Sequence, residues 1–317
     1  MNREARPYVR RFQPPLRTAS GEFGQRRGWL LREERQGEVF FGEVAPFPGF
    51  ASDPADWEER VQRWRAGEDA SHVLGEDGAL GFAAWCLRQR LPFGVEVEGA
   101  GLIQGDRKDF AAAAAESDYR VWKVKIGVRA IRDEQRYLDA LLDATPPESR
   151  FRLDANGQLD GRLTGDWLDW MENRDRIEFL EQPLPAGEEQ RMMETLGERM
   201  MRVALDESVV ARERFLWALD RGWSGWWVIK PSLFGAPDFL FSLPEAVRKR
   251  MIVSSAFESG VGFSFVLRVA ELLGGFEIAH GLGTRGKFGE DGLDGWSPAS
   301  RFKSLVTQEG MERVFES

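Results

Sequence analysis

VWKVKI, at residues 121–126, is a short strand candidate, and a helical pattern with Ile131 and Leu138 on its apolar face follows it. Six more strand candidates follow along the chain, separated by helical segments: FRLD from residue 151, IEFLE from 177, RVALD from 202, WWVIK from 226, MIVSS from 251 and FEIAH from 276. Strands that alternate with helices in this way predict βα units and a parallel sheet.

The polar residues that close these strands recur at a nearly constant interval. They are Lys125, Asp154, Glu181, Asp206, Lys230 and Ser254, and successive differences in residue number are 29, 27, 25, 24 and 24. Such an interval accommodates one strand, one helix and two loops, and its repetition closes most simply into a TIM-like (β/α) barrel of the α/β class. A doubly wound open sheet would give a similar alternation, so periodicity alone leaves that alternative open.

The first ninety or so residues have a different pattern. Residues 28–44 contain two strand-like runs around a polar turn at Gln36 and Gly37, which predicts a β-hairpin. A helix-start signal at Asp53 and Pro54 follows, and residues 78–91 form a second helical pattern. This region is therefore predicted to be a separate α+β unit.

Composition excludes several classes of function. The chain has 43 Lys and Arg against 52 Asp and Glu, a formal charge of -9, and no long basic run, which argues against a nucleic-acid partner. It has no run of about 20 apolar residues, and its start lacks the apolar segment of a signal peptide, so we expect a cytoplasmic protein without membrane contact. Two histidines, His72 and His280, exclude a multi-histidine metal site. The single cysteine, Cys86, excludes an internal disulfide.

Charged residues at strand ends point to one common site. In a parallel barrel the carboxyl ends of the strands surround the active site, so Asp154, Glu181 and Asp206 are expected to lie together there. Carboxylates without His or Cys are typical ligands of Mg²⁺ or Mn²⁺. Period-two alternation places Lys123 and Lys125 on one strand face. Repulsion between two ammonium groups this close favours a neutral amine that can accept a proton.

This combination predicts proton abstraction next to a carboxylate. A bound divalent metal can stabilise the dianionic enediolate that forms when the adjacent carbon loses its proton. Lys125 and Lys230, on either side of the carboxylates, could approach the reacting carbon from its two faces. The expected partner is a small-molecule carboxylate, and the chain is expected to be a monomer or a small homo-oligomer.

Each motif taken singly also has an ordinary structural explanation. DAN at 154–156 and DES at 206–208 are typical of turns or helix caps, and EQP at 181–183 is typical of a loop that proline marks. His280 is expected to be a core residue or to act behind the site. The joint order Lys, Asp, Glu, Asp, Lys at successive strand ends favours the functional interpretation.

Five motifs resemble those of the enolase superfamily, and specifically its muconate-lactonising subgroup, over nearly the whole chain. They are KVK at 123–125, RLDAN at 152–156, LEQPL at 180–184, LDES at 205–208 and IKPS at 229–232. The resemblance implies a modified (β/α) barrel with an N-terminal α+β capping domain and a C-terminal segment that packs back on the cap. The implied ranges are 1–95 for the cap, 96–285 for the barrel and 286–317 for the C-terminal segment.

Three further segments narrow the resemblance within the subgroup: GEVAPFPGF at 42–50, SSAFESGVG at 254–262 and GLGT at 281–284. They imply a Mg²⁺-dependent syn-dehydration of 2-succinyl-6-hydroxy-2,4-cyclohexadiene-1-carboxylate to 2-succinylbenzoate, a step toward menaquinone or phylloquinone. Mn²⁺ is an alternative metal.

The resemblance also implies a role for each site residue. Lys125 would be the base that removes the proton and returns it to the departing hydroxide. Lys230 would stabilise the enediolate from the opposite face, and Lys123 would hold the substrate carboxylate. Arg152 would lie near the substrate. The resemblance also assigns Ser254, Gly281 and Gly283, less specifically, to contacts with the succinyl side chain. Gly157 departs from the pattern, since many relatives carry a larger residue there.

Other activities of the same superfamily remain alternatives. N-acylamino-acid racemases and dipeptide epimerases use the same metal ligands and lysines, but the epimerases commonly carry a DxD pair on the last barrel strand, which here reads FEIAHGLGT. Muconate cycloisomerases are generally longer, and sugar-acid dehydratases use a histidine base. A non-catalytic metal-binding scaffold is the alternative of another class, and the retention of both lysines argues against it.

Overall fold

The structure is a computed structural model. It describes residues 2–18, 21–50, 54–103, 117–275, 277–284, 287–295 and 301–317.

The N-terminal region begins with an antiparallel sheet. Its strands are β1 (Asn2–Thr18), β2 (Gly21–Arg35) and β3 (Glu38–Val44), in the order β1-β2-β3. Gln36 and Gly37 connect β2 to β3 with φ angles of 53° and 79°, and such left-handed residues match the twist of a tight hairpin. The predicted hairpin is therefore confirmed, and β1 adds a long strand to it.

Three helices pack against this sheet: α1 (Trp57–Arg65), α2 (Ala70–Val73) and α3 (Gly78–Cys86). α1 begins three residues after Pro54, and Asp53, the other half of the predicted start signal, lies outside the described residues. α3 is buried along its whole length and ends five residues earlier than predicted. Pro92 disfavours helical backbone at the residue before it, and the chain turns there into β4 (Phe93–Glu98).

The central sheet is parallel and follows chain order. Within the described residues its seven strands are β5 (Gly101–Leu102), β6 (Val121–Lys125), β7 (Arg150–Asp154), β8 (Ile177–Glu181), β9 (Val203–Leu205), β10 (Trp226–Ile229) and β11 (Met251–Val253). The neighbours pair without reversal of order, as a barrel requires and a doubly wound sheet does not.

A short segment around His280 and Gly281 closes the barrel. The backbone N–H of Gly281 donates to Val253 of β11 (2.8 Å), and that of His280 donates to Glu98 on the other side (2.7 Å). The strand predicted from residue 276 is thus reduced to two isolated bridges, and Phe276 lies outside the described residues. The preceding helix and its glycine turn extend to Gly275, which leaves little length for a strand.

The helices of the barrel connect the strands. Within the described residues they are α4 (Ile131–Ala144), α5 (Gly161–Met171), α6 (Glu189–Leu196), α7 (Arg212–Asp220), α8 (Pro231–Phe234), α9 (Asp238–Phe241), α10 (Glu245–Arg248) and α11 (Gly260–Leu273). Their apolar faces, such as Leu138 and Leu141 of α4, pack on the outside of the sheet. In the described part of the chain, no helix has the length and apolarity needed to cross a membrane.

Buried polar contacts join the cap to the barrel. Glu43, at the end of β3, accepts hydrogen bonds from the backbone N–H groups of Ser259 (3.1 Å) and Gly262 (2.9 Å) at the start of α11. Arg10 of β1 is buried and donates to Asp291 (2.8 Å) and to the carbonyl of Glu258 (3.1 Å). These contacts place the cap over the carboxyl ends of the barrel strands.

The C-terminal segment lies against both units. β12 (Arg301–Val306) pairs antiparallel with β4, and α12 (Gln308–Glu316) packs Phe315 against Phe41 of the cap. The domain limits inferred from the sequence stay a prediction, and the proposed boundary at residues 285 and 286 lies outside the described residues.

Candidate active site

A cavity of about 250 Å³ lies between the cap and the carboxyl ends of the barrel strands. Its lining includes all of the site residues predicted from the sequence: Lys123, Lys125, Arg152, Asp154, Glu181, Asp206, Lys230, Ser254, Gly281 and Gly283. Strand register brings the central ones together, because Lys125 lies opposite Asp154, and Asp154 lies opposite Glu181.

The roof of the cavity is apolar. Leu16, Phe47 and Phe50 come from the cap, and Phe257 comes from the loop after β11. Phe257 and Phe47 lie 6.1 Å apart between ring centroids, and Phe12 of β1 packs edge-on against Phe257 at 5.3 Å. Such a roof offers flat apolar surfaces to an apolar ring.

Lys123 lies between two carboxylates. Its Nζ is 2.8 Å from Asp154 Oδ2 and 2.7 Å from Glu181 Oε1, and both carboxylates are buried. Burial alone would lower the pKa of Lys123, but the two negative charges outweigh it and raise this pKa above its ordinary value. Lys123 is therefore not the one neutral amine that the sequence predicts within the lysine pair, because carboxylates from two neighbouring strands surround it.

Lys230 lies across the cavity and contacts Asp206 through its ammonium group. Burial, together with repulsion from Lys123, lowers the pKa of Lys230 to about 7. Its Nζ also lies 5.8 Å from the ring centroid of Phe50, which ties the lysine to the apolar roof. Burial opposes the charge of both Lys123 and Lys230, but only for Lys230 does the pKa fall below its ordinary value.

Asp154 is held by the turn that follows it. The backbone N–H of Asn156 donates to Asp154 Oδ1 (3.0 Å), and the Asn156 side-chain amide donates to Oδ2 (3.2 Å). The same amide donates to Glu207 Oε1 (3.2 Å). Burial and the negative charge of Asp154 raise the pKa of Glu207 to about 7. Asn156 and Glu207 were not predicted as site residues, although they belong to the motifs DAN and DES.

Gln182 connects the ends of three strands. Its side-chain oxygen accepts from the backbone N–H groups of Asp206 (2.9 Å) and Ser208 (3.2 Å), and its amide donates to the carbonyl of Leu184 (2.8 Å). Its own carbonyl accepts from Gly157 N–H (2.7 Å). Gln182 is fully buried and has a left-handed φ of 37°, which these contacts hold in place. Only the motif EQP signals this residue in the sequence.

The backbone at Gly157 gives a local reason for glycine at this position. Its φ is 70°, and an added Cβ would lie 3.0 Å from Cα of Pro185. A larger residue would therefore be strained in this turn and would crowd the loop after β8.

Arg152 lies in the cavity lining, two residues before Asp154. Its Nε donates to Glu178 (2.6 Å), and its Nη1 donates to the carbonyl of Ala279 (2.6 Å). The residue is almost completely buried and links β7 to the segment that closes the barrel. Its place in the cavity lining agrees with a position near a substrate, and these contacts add a structural function.

The far wall of the cavity is polar and closely packed. Ser254 Oγ donates to the carbonyl of Gly281 (3.3 Å), and an added Cβ at Gly281 would lie 3.0 Å from Ser254 Oγ. The hydroxyl groups of Ser255 and Thr284 are 2.6 Å apart, and Ser255 also donates to the buried Glu258 (2.6 Å). This wall offers hydroxyl and backbone groups to a polar side chain of a ligand.

His280 is buried and neutral. Its Nδ1 accepts from the backbone N–H of Val253 (3.1 Å), and burial together with the positive charge of Arg152 lowers its pKa to about 3. It does not line the cavity among the described residues, so it serves the closure of the barrel.

This buried histidine is expected to destabilise the protein in acid. Below the ordinary His pKa of 6.5 the unfolded chain takes up a proton that the folded chain binds only near pH 3. As the pH decreases from 6.5 to about 3, the free energy of unfolding should therefore fall by about 1.4 kcal/mol for each pH unit. The free energy of unfolding should be measured with urea at several pH values and plotted against pH. The slope of this plot should be smaller in His280→Asn than in the wild type by about that amount. Equal slopes would contradict a neutral buried His280.

The donor set fits a hard divalent cation. Asp154, Glu181 and Asp206 provide buried carboxylate oxygens at three adjacent strand ends, and burial raises the pKa of Glu181. No group of three His, Cys, Asp or Glu side chains in the described residues is already arranged as a ligand set. The ammonium groups of Lys123 and Lys230 instead contact these carboxylates, and binding of a cation requires both lysines to shift.

Comparison with known proteins identifies relatives along the whole chain. A family model described as Enolase C-terminal domain-like matches residues 106–238. The o-succinylbenzoate synthase of Thermosynechococcus vestitus is 33% identical over 98% of this chain and 97% of its own length. The o-succinylbenzoate synthase of an Enterobacter species is 30% identical over 81% of each chain.

Solved structures share the fold. The o-succinylbenzoate synthase from Thermosynechococcus elongatus BP-1, complexed with Mg in its active site, has a TM-score of 0.84 at 30% identity and covers 100% of this chain and 99% of that chain. The muconate lactonizing enzyme from Pseudomonas fluorescens has a TM-score of 0.72 over 99% of this chain and 98% of that one, and at 16% identity this likeness concerns the fold alone. These matches confirm the (β/α) barrel with an N-terminal α+β domain.

Proposed function

Because this chain belongs to the o-succinylbenzoate synthases of the enolase superfamily, we propose that its cavity dehydrates 2-succinyl-6-hydroxy-2,4-cyclohexadiene-1-carboxylate to 2-succinylbenzoate. It is then a hydro-lyase of menaquinone or phylloquinone synthesis. One observation carries the proposal: two lysines and three carboxylates from five strand ends line one cavity beneath an apolar roof.

The metal in this proposal is Mg²⁺, held by Asp154, Glu181 and Asp206. These oxygens fit its preference for hard ligands. The bound cation would supply positive charge to the substrate carboxylate and so make the adjacent carbon more acidic. The Mg-bound relative supports this choice, and Mn²⁺ stays an alternative.

Lys125 is proposed as the base. It ends β6, its side chain is exposed at the cavity, and its strand neighbour is Asp154. Its amine would take the proton from the carbon next to the carboxylate, which would leave an enediolate. The same ammonium would then return the proton as the carbon–oxygen bond breaks, so that the departing hydroxide leaves as water and the ring becomes aromatic. One residue can carry out both proton transfers because, in a syn elimination, the proton and the hydroxyl group leave from the same face of the substrate ring.

Lys230 is proposed to stabilise the enediolate from the opposite face. It lies near Asp206 and Phe50, across the cavity from β6. Lys123, between Asp154 and Glu181, would hold the substrate carboxylate at the metal-binding end. Two ammonium groups held in place in this way would lower the barrier to proton removal, because they are already oriented toward the negative charge that develops on the substrate.

The remaining walls match the other parts of the substrate. Phe47, Phe50 and Phe257 offer apolar faces to the cyclohexadiene ring. Ser254 and the glycine backbone at Gly281 and Gly283 provide polar contacts for the succinyl group. We also propose, from the sequence, a cytoplasmic location and a monomer or small homo-oligomer.

The test is a steady-state assay of the purified protein with the cyclohexadiene carboxylate, in Mg²⁺ and after chelation. Aromatic product should form with Mg²⁺ and should stop when EDTA is added in excess. Absence of product in Mg²⁺, or turnover that survives chelation, would contradict the proposal. A parallel assay with N-succinylamino acids tests the alternative, since a racemase would invert these substrates.

A further inference from the structure

Glu207 lies beside the proposed metal ligands but outside their set. It directly follows Asp206 at the start of a short 3₁₀ turn, Glu207–Val209, and it lines the cavity. Its carboxylate does not point to the lysine that Asp206 contacts. It approaches Asp154 instead, through the side chain of Asn156.

Asn156 joins the two carboxylates through one amide group. This amide lies 3.2 Å from Asp154 Oδ2 and 3.2 Å from Glu207 Oε1, so that each carboxylate can receive one of its two hydrogens. The backbone N–H of Asn156 holds the other oxygen of Asp154. Asn156 adopts this position with a left-handed φ of 45°, which asparagine tolerates better than most residues. Glu207 therefore helps to set the orientation of Asp154.

The second oxygen of Glu207 has no such contact. Glu207 Oε2 is shielded from solvent and has no hydrogen-bond partner within the described residues. A buried carboxylate oxygen without a donor is costly, and the nearby negative charges of Asp154 and Glu181 add to that cost. Such an arrangement is useful only if a donor or a cation arrives at this oxygen during function.

We propose that Glu207 is a positioning residue of the metal centre, which orients Asp154 through Asn156 and offers its free oxygen to the water shell of the bound cation. Divalent Mg²⁺ in proteins usually keeps several of its waters, and each such water is a hydrogen-bond donor. Carboxylates behind a metal commonly act in this way on the ligands and waters in front of them. The inference rests on the proposed Mg²⁺ site, but not on the identity of the substrate.

The experiment measures Mg²⁺ binding to the metal-free protein by calorimetry, beside the thermal unfolding of the metal-free protein. In Glu207→Gln an amide nitrogen replaces one oxygen, and this group donates where the carboxylate accepts. The dissociation constant for Mg²⁺ should rise about 10- to 100-fold. The metal-free variant should unfold at the same temperature as the wild type or a higher one, because a buried repulsive charge has been removed. Glu213→Gln, which removes an exposed charge on α7, should change neither quantity.

Weaker Mg²⁺ binding without a loss of stability in the metal-free protein distinguishes a positioning role from a purely structural one. Unchanged Mg²⁺ affinity in Glu207→Gln would overturn the inference, whatever the stability of the metal-free variant. A loss of affinity as large as that of Asp206→Asn would also overturn it, because Glu207 would then be a ligand itself. In a double-mutant cycle, Asn156→Ala and Glu207→Gln should not be additive, and additivity would show that Glu207 does not act through Asn156. If the wild type binds Mg²⁺ but forms no aromatic product, only the proposed reaction fails.

Discussion

Lys125→Ala is expected to lower kcat for dehydration by a factor of about 10² to 10⁴, the usual cost of losing a general base. Lys125 ends β6 at the cavity. The lysine that remains on that strand face in the alanine variant, Lys123, is held between Asp154 and Glu181 and does not replace Lys125 as the base. Because the side chain is exposed at the cavity, the free energy of unfolding should change by less than about 0.5 kcal/mol. The rate should be followed by formation of the aromatic product at saturating substrate.

Two measurements distinguish loss of the base from loss of binding. Calorimetry with 2-succinylbenzoate should give similar affinities for the variant and the wild type, since Lys123 rather than Lys125 lies between the metal-site carboxylates. Lys249→Ala, at an exposed lysine that follows α10 and pairs with Glu245, should leave kcat unchanged. A decrease of less than tenfold in Lys125→Ala would assign the proton transfer to another residue.

Lys123→Met is expected to destabilise the metal-free protein by about 3 to 5 kcal/mol. Removal of one partner from a buried ion pair leaves uncompensated charge behind, and here two buried carboxylates, Asp154 and Glu181, lose the ammonium that contacts both. Chemical unfolding without metal should show the loss. Saturating Mg²⁺ should raise the unfolding temperature more in the variant than in the wild type, because the cation replaces the missing positive charge and no longer competes with Lys123.

Lys303→Met provides the matched control. Lys303 and Glu96 form a 3.4 Å ion pair across β12 and β4, but the lysine side chain is 75% exposed. Solvent screens such a pair, and its loss should cost about 1 kcal/mol or less, with no effect of Mg²⁺. If Lys123→Met costs as little as Lys303→Met, or if Mg²⁺ stabilises variant and wild type equally, then Lys123 does not neutralise the metal-site carboxylates.

Local sequence was sufficient for much of the barrel. The strands that end at Asp154 and Glu181 have short apolar runs, and amphipathic helices separate them, so their boundaries follow from side-chain periodicity within a few residues. The hairpin at Gln36 and Gly37 was equally local, because its turn chemistry is contained in two residues. The strand expected before His280 was not predictable in this way, since its length depends on where α11 and its glycine turn end.

The protonation of the lysines required the tertiary structure. Sequence spacing showed that Lys123 and Lys125 share a strand face, and repulsion was the only interaction visible from that spacing. The charges that decide the pKa of Lys123 belong to Asp154 and Glu181, which are far away in sequence and adjacent only through strand register. The low pKa of Lys230 likewise depends on burial beneath the cap.

The sequence by itself determined which side chains meet at the strand ends. Asp154, Glu181, Asp206 and the two lysines of the proposed mechanism were found from strand periodicity, because parallel strands of one sheet present their carboxyl ends at one edge. Only the tertiary structure decided how these side chains are held. Gln182, Asn156 and Glu207 act through hydrogen bonds between different strand ends, and the direction of a side chain in a loop depends on the packing of its neighbours rather than on any sequence period.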